Sequence, residues 1–537
     1  MAKEIEKRVR AANAEADTEL LRNSEIRNGE FVRYYGKKSE IVIPDSVSTI
    51  SEGAFRGNHK LTRLVLGKNV SVIQPNAFRN CSALRTVTFP SGLRIIGDDA
   101  FRNCASLTSV ILPRSVISVG NGAFRGCSSL HHAVLSANVT NLGAYAFCDC
   151  VALDDLTLPE NLSAIHRGTF FNCSSLQLLT VPSSVRTVGR YAFGHCSALK
   201  ELHLPEEVTY LGSGAFSDCR SLRSFRIPPM VRFVGDYTFS CCEALEEVEL
   251  PENLTHIGVN AFCSCRVLRH VELSPMLTRI GASAFLGCRS LEKAIIPANV
   301  REIGKRAFAY CSALADVEIH SSLDAVEDES FLCCFALTEI KLPDSVTRIG
   351  ERAFCRCLSL SSLQLPKQLA LLEEHAFSEC ESLTEISLPA ELRRIESHVF
   401  ADCTALCTVI LPEHRIDIEY GVFTGCDALK TLVVPDTLRL FRYRLDRWDV
   451  PQETNVIFHG ELQLSLLFDE LTSADSSDER KEELRLEIKK TLSRAKFRRA
   501  KHRAPVSDPP KIETPAQEEN VSQPADVEEN LQKIDDV

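Results

Sequence analysis

Cysteine and histidine are the side chains in this 537-residue sequence best suited to metal ligation or nucleophilic chemistry; it holds 22 and 14 of them. Sixteen of the cysteines, from Cys81 to Cys426, recur every 23 residues, each three residues after a phenylalanine. A zinc site wants ligand pairs a few residues apart, and one long fixed step does not supply them. Five of the six remaining thiols make close pairs with a ladder cysteine, Cys148-x-Cys150, Cys263-x-Cys265, Cys355-x-Cys357, Cys241-Cys242 and Cys333-Cys334, without a second pair or a histidine at zinc-finger spacing. The ladder thiols, Cys104, Cys242 and Cys288 among them, therefore read as small buried hydrophobes beside Phe101, Phe239 and Phe285. His131-His132, His203 and His270 fall at outward strand positions and read as surface polar residues. The sequence shows no phosphate-cradling glycine loop, HExxH, GxSxG or paired CxxC, and no cysteine follows Cys426. No catalytic residue, metal or cofactor is expected, and the chain reads as a binding protein rather than an enzyme.

The elements that would position these side chains come from the same period. Seventeen phenylalanines, Phe55 to Phe423, recur every 23 residues without an insertion. A unit that short cannot bury its own apolar face, so neighbours must stack. In the unit of Phe101, Ala100 and Cys104 lie four residues apart, which predicts a single short helical turn. Val110 and Leu112 alternate with Ser109 and Ile111, which is strand periodicity. Pro113 then ends the strand, because it cannot donate to a ladder. Val116 and Val119 mark a second segment, extended or irregular, and Gly120 suits a turn into the next unit.

The stretch CASLTSVILPRSVISVGNGAF resembles the BspA-like, Treponema-type leucine-rich repeat over roughly residues 32 to 440. The resemblance implies an α/β leucine-rich-repeat solenoid with parallel strands stacked at a 23-residue period. It also implies kinship with cell-surface or secreted bacterial and protist proteins that bind host or partner macromolecules. Departures from the pattern are the loss of the proline at Gly67, Ser136, Ser274 and His320, and replacement of the turn glycine at His166, Glu327, Glu373, Glu396 and Glu419. The glycine losses predict repeats that loosen toward the C-terminal end.

Composition shifts divide the rest. Residues 1–24 read as a polar helix. Asn28-Gly29 between extended runs marks a hairpin cap over 25–43. The solenoid covers 44–435. A C-terminal cap over 436–472 holds the only tryptophan, Trp448, whose cluster could alternatively be an aromatic docking patch. A basic amphipathic helix follows over 473–503, with lysines and arginines crowded between 489 and 503, and a disordered acidic tail over 504–537. No apolar leader opens the sequence and no apolar run of about 18 residues crosses a membrane, so a cytoplasmic, reducing compartment is expected, with non-classical export as the alternative.

What remains for function is surface charge. The outward positions eight and ten residues after phenylalanine carry Asp155, Glu201, Glu247, Glu249, Glu272, Asp316, Glu318, Glu339 and Glu385 against Arg63, Arg226, Lys293 and Lys341. Sixteen and seventeen residues after it the balance reverses, with Arg94, Arg186, Arg232, Arg279, Arg301, Arg348, Arg393, Arg394 and Arg439 against Glu302, Asp324 and Asp417. The acidic positions are the candidate contact surface for a protein partner of unidentified kind. An exported, adhesin-like role and nucleic-acid contact through the basic helix are the alternatives.

Overall fold

The structure, a computed structural model, describes residues 20–440, 443–461 and 463. The chain divides into two units, residues 1–462 and 463–537, and all described residues but Gln463 belong to the first. The expected polar helix over 1–24 is therefore described only from Leu20, and the basic helix and acidic tail lie outside the described residues.

Within the first unit each 23-residue repeat forms one turn of a parallel solenoid. In the repeat of Phe101 the first strand is Ser109–Ile111 and the second is Ser118–Val119. Each pairs with its counterpart 23 residues on, His132 against Ser109 and Asn141 against Ser118. Alternation then sets burial: Val110, Val116 and Val119 are fully buried, while Ile111 stands out at 63% exposure. The corner between the strands closes with the Val116 N–H donating to the Pro113 carbonyl at 3.1 Å. At two of the four positions where proline is lost the bond persists with serine, from Val139 to Ser136 and from Leu277 to Ser274, both 3.0 Å. There the serine hydroxyl also donates to the preceding repeat, Ser136 Oγ to the Arg114 carbonyl and Ser274 Oγ to that of Glu252.

The phenylalanine segment is not a helical turn. Asp99 and Asn103, two residues to either side of Phe101, have φ of 53° and 59°, and a right-handed helix cannot pass through left-handed residues. The chain makes two successive tight turns instead, Arg102 N–H to Asp99 and Cys104 N–H to Phe101, both 3.1 Å. This geometry frees alternate N–H groups to reach the next repeat: Asp99 to Asn121, Phe101 to Ala123 and Asn103 to Arg125, at 2.6–2.7 Å. The turns thus form a third hydrogen-bonded ladder alongside the two strand ladders. Phenylalanine rings stack along it, 5.4 Å from Phe216 to Phe239 and 5.4 Å from Phe239 to Phe262.

Toward the C-terminal end the second-strand bond persists at three glutamates that replace turn glycine, while the turn-ladder bonds of His375 and His398 lengthen to 3.2 and 3.3 Å. Glu373, Glu396 and Glu419 still donate to Ile349, Leu372 and Ile395 at 2.9–3.0 Å, as Gly120 does to Ile96 at 2.8 Å. At the N-terminal end Ser24–Arg27 pairs antiparallel with Glu30–Tyr34 across Asn28 and Gly29, whose φ of 51° and 79° suit a tight hairpin. Phe31 from this hairpin stacks 4.9 Å from Phe55 and starts the ring column. At the other end Asn455–Phe458 adds a parallel strand to Thr431–Val434. The Trp448 carbonyl accepts from Phe423 N–H at 2.9 Å, the role an alanine carbonyl plays for Phe101. Trp448 is buried and its Nε1 donates to the Ile418 carbonyl at 3.3 Å, so it closes the column and presents no aromatic surface for docking.

Candidate functional site

All 22 cysteines are free thiols. Each ladder cysteine does more than fill space: its Sγ–H donates to the carbonyl of the phenylalanine 26 residues earlier, Cys104 to Phe78 at 3.3 Å, Cys242 to Phe216 and Cys288 to Phe262 at 3.2 Å. The turn geometry leaves that oxygen facing the next repeat, within reach of its thiol. Sequence reasoning missed this bond; the invariant spacing between the two residue types was the available signal. Burial pushes the Cys127 and Cys196 thiols up to about 12, and raises those of Cys104, Cys242 and Cys288 as well. Burial thus favours the protonated thiol on the ladder, and the thiolate rather than the thiol is the nucleophile. Cys148, Cys241, Cys263, Cys333 and Cys355 lie off the ladder, with burial again raising each thiol.

On the first-strand face Glu201, Glu247, Glu249 and Glu339 are exposed beside buried Leu202, Val248 and Ile340. Asp155 is exposed next to half-buried Leu156, and Asp316 and Glu318 flank buried Val317. Glu272 is exposed too, but its strand is reduced to an isolated bridge between Glu247 and His270. The acids do not form an unbroken row. Register sets Asp155 against His132, Glu249 against Arg226 and Asp316 against Lys293, giving contacts of 2.6, 3.3 and 2.7 Å. Lys293 also reaches Glu318, and these hydrogen bonds, to Asp316 first, hold its ammonium above the usual range. His203 binds Glu201 at 2.6 Å. Among the described residues Glu247, Glu272, Glu339 and Glu385 make no ion pair, and an open depression nearby is lined by Ser362, Gln364, Glu385, Ser387 and Thr408.

The second-strand face is likewise mixed. Arg279 pairs with Glu302 at 2.9 Å, and Arg348 with Glu327 at 2.7 Å and Glu373 at 3.0 Å. The glutamates that replace turn glycine thus anchor an arginine of the same edge. The side chain of Arg439 lies outside those described. Sequence reasoning also passed over exposed Tyr210 and Phe233 on this face, one repeat apart, with His256 5.2 Å from the Phe233 ring.

One histidine pair was missed because its members are 23 residues apart rather than neighbours in sequence. His375 and His398 occupy the left-handed turn position two residues before Phe377 and Phe400, each with φ of 56°. Their rings stack at 5.0 Å, and Glu374 Oε1 lies 3.6 Å from His375 Nε2. Burial lowers the pKa of His375, helped by the Arg352 charge on the preceding rung. Aligning the repeats column by column would have exposed the pair.

The profile described as "BspA type Leucine rich repeat region", six copies long, matches residues 24–153, 118–246, 232–358 and 324–445. Among solved structures, a leucine-rich repeat protein from Bacteroides ovatus is 26% identical, covering 80% of this chain and 94% of that one with a TM-score of 0.49. The leucine-rich repeat protein of T. pallidum is 31% identical over 36% of this chain and 82% of its own, with a TM-score of 0.29. The pneumococcal vaccine antigen PcpA is 20% identical over 66% and 90%, with a TM-score of 0.39. A search of curated proteins found no match. No helix among the described residues is long and apolar enough to cross a membrane.

Proposed function

The chain belongs to the BspA-type leucine-rich repeat family, a family of repeat scaffolds, and from that premise we propose that it binds a protein partner through its first-strand face. The observation that carries the reading is the set of exposed carboxylates on that face, Glu247, Glu272, Glu339 and Glu385, that make no ion pair among the described residues. Elsewhere on the same face the acids are already matched by Lys293, Arg226 or histidine. Unmatched charges spread over several repeats suit a partner surface rich in lysine or arginine, since complementary charge speeds encounter and selects among partners. Inward positions are held by packing, so only outward ones are free to vary from repeat to repeat and encode a partner. The repeat architecture of the family supports the reading of a scaffold.

The test is affinity capture from the native cell with the full chain and with a variant carrying Glu247→Lys, Glu272→Lys, Glu339→Lys and Glu385→Lys. Mass spectrometry should identify a basic protein retained by the first and lost by the second at matched circular dichroism. Equal capture by both removes this face from consideration.

A further inference from the structure

We propose that Glu374, His375 and His398 form a binding site for one divalent transition-metal ion of the zinc class, bridging two adjacent repeats. The ligand atoms of the three side chains lie within 4.8 Å of one another. Two imidazoles and a carboxylate are a zinc-type donor set, and a fourth position stays open to water. Bond lengths of about 2.0–2.2 Å to a shared ion require the ligands to close by roughly an ångström, which the half-exposed side chain of Glu374 can supply.

The fold positions the pair. The left-handed turn site recurs in every repeat, and only here does histidine occupy two successive rungs; Asn76 and Asn260 hold the same site elsewhere. Backbone bonds fix the rung spacing, His375 N–H to Ser397 at 3.2 Å and His398 N–H to Tyr420 at 3.3 Å. Glycine follows on the next rung, and a β-carbon at Gly421 would lie 2.7 Å from His398 Nε2, so a larger residue there would displace the imidazole from this position. The Nδ1 of His398 is buried without a hydrogen-bond partner, a polar atom left unsatisfied at the edge of the cluster. Glu396 accepts the Glu374 N–H at 3.3 Å and steadies the carboxylate's backbone. Arg352 on the preceding rung pairs with Glu351, and Glu373 pairs with Arg348.

Metal-free, untagged full chain is titrated with cobalt(II) followed by absorption, and with zinc(II) followed by calorimetry. We expect one equivalent of each ion, with cobalt bands that lack thiolate charge transfer. His375→Asn and His398→Asn, using a residue the fold already places at this turn, should each weaken binding at least about tenfold. The double variant should lose binding while keeping its metal-free melting midpoint. Saturating zinc should raise the midpoint of the parent chain alone, because an ion that binds only the folded repeats stabilises them. If either asparagine exchange disturbs folding, Glu374→Gln, a near-isosteric change, gives the same reading. Absence of stoichiometric binding, thiolate-type cobalt absorption, or undiminished binding by the double variant overturns the proposal.

Discussion

The thiol and ring columns inside the solenoid and the outward columns of its first-strand face are built from the same repeats but obey opposite rules. Inside, every rung from Phe78 to Phe423 repeats the same residue, because each ring must stack on the last and each Cys Sγ must reach the Phe carbonyl before it. Outside, successive rungs place Ser224, Glu247, His270 and Lys293 at one position, where no packing demand repeats from rung to rung. Packing is thereby concentrated in invariant columns, and the variable ones are left free of that demand.

The comparison breaks most visibly at alkaline pH. A thiol whose folded pKa lies above its unfolded value stabilises the fold fully below the unfolded value, and that contribution disappears as pH rises toward the folded one. Burial lifts Cys127 and Cys196 from 9.0 to about 12. Each thiol that ionises only on unfolding should then cost about 1.4 kcal/mol per pH unit above about 9. With many such thiols in one array, urea midpoints of the reduced protein should be nearly flat from pH 7 to 8.5 and fall steeply from 9 to 11. A flat profile through pH 11 would show that the ladder thiols are not buried acids.

Next in size is the ring column. Phe239 is fully buried between Phe216 and Phe262, so Phe239→Ala should cost about 3–5 kcal/mol. Because a repeat touches only its neighbours, proteolysis of the variant should begin near residue 239 and spare distant repeats. Unchanged denaturation and unchanged cleavage would remove Phe239 from the core.

How much was legible in the sequence follows from the same contrast. Phe101, Cys104, Val110 and Val119 announce the period and its burial, because an invariant column is a repeated physical demand. The turn around Phe101 was misjudged as helical, since Ala100 and Cys104 have helical spacing while the left-handed residues Asp99 and Asn103 vary in type from rung to rung. Glu373, Glu396 and Glu419 are expected to loosen the stack, yet their N–H groups keep the backbone bond, although a β-carbon at the equivalent Gly120 would lie 2.6 Å from the Asp98 nitrogen of the preceding repeat. His375 and His398 went unnoticed because contact in a solenoid runs across 23 residues, and motif searches look along the chain. The pairing of Asp316 with Lys293 hid in the same way: side chains on one strand face are read as a charge total, whereas register decides which charges meet.

The finest test sets two adjacent residues against each other. Glu247 is exposed and makes no ion pair among the described residues, while Val248 beside it is 4% exposed and packed into the core. Val248→Ala removes two buried carbons and should cost about 2 kcal/mol once the cavity is included. Glu247→Ala should shift stability by less than about 0.5 kcal/mol, the usual range for a surface exchange. Both variants are read by urea denaturation at neutral pH, where the thiols are silent. A cost at Glu247 comparable to that at Val248 would mean the outward column is committed to holding the repeats together, and so is not free to encode a partner. A negligible cost at Glu247, together with loss of the captured protein on charge reversal, would assign that residue to recognition alone.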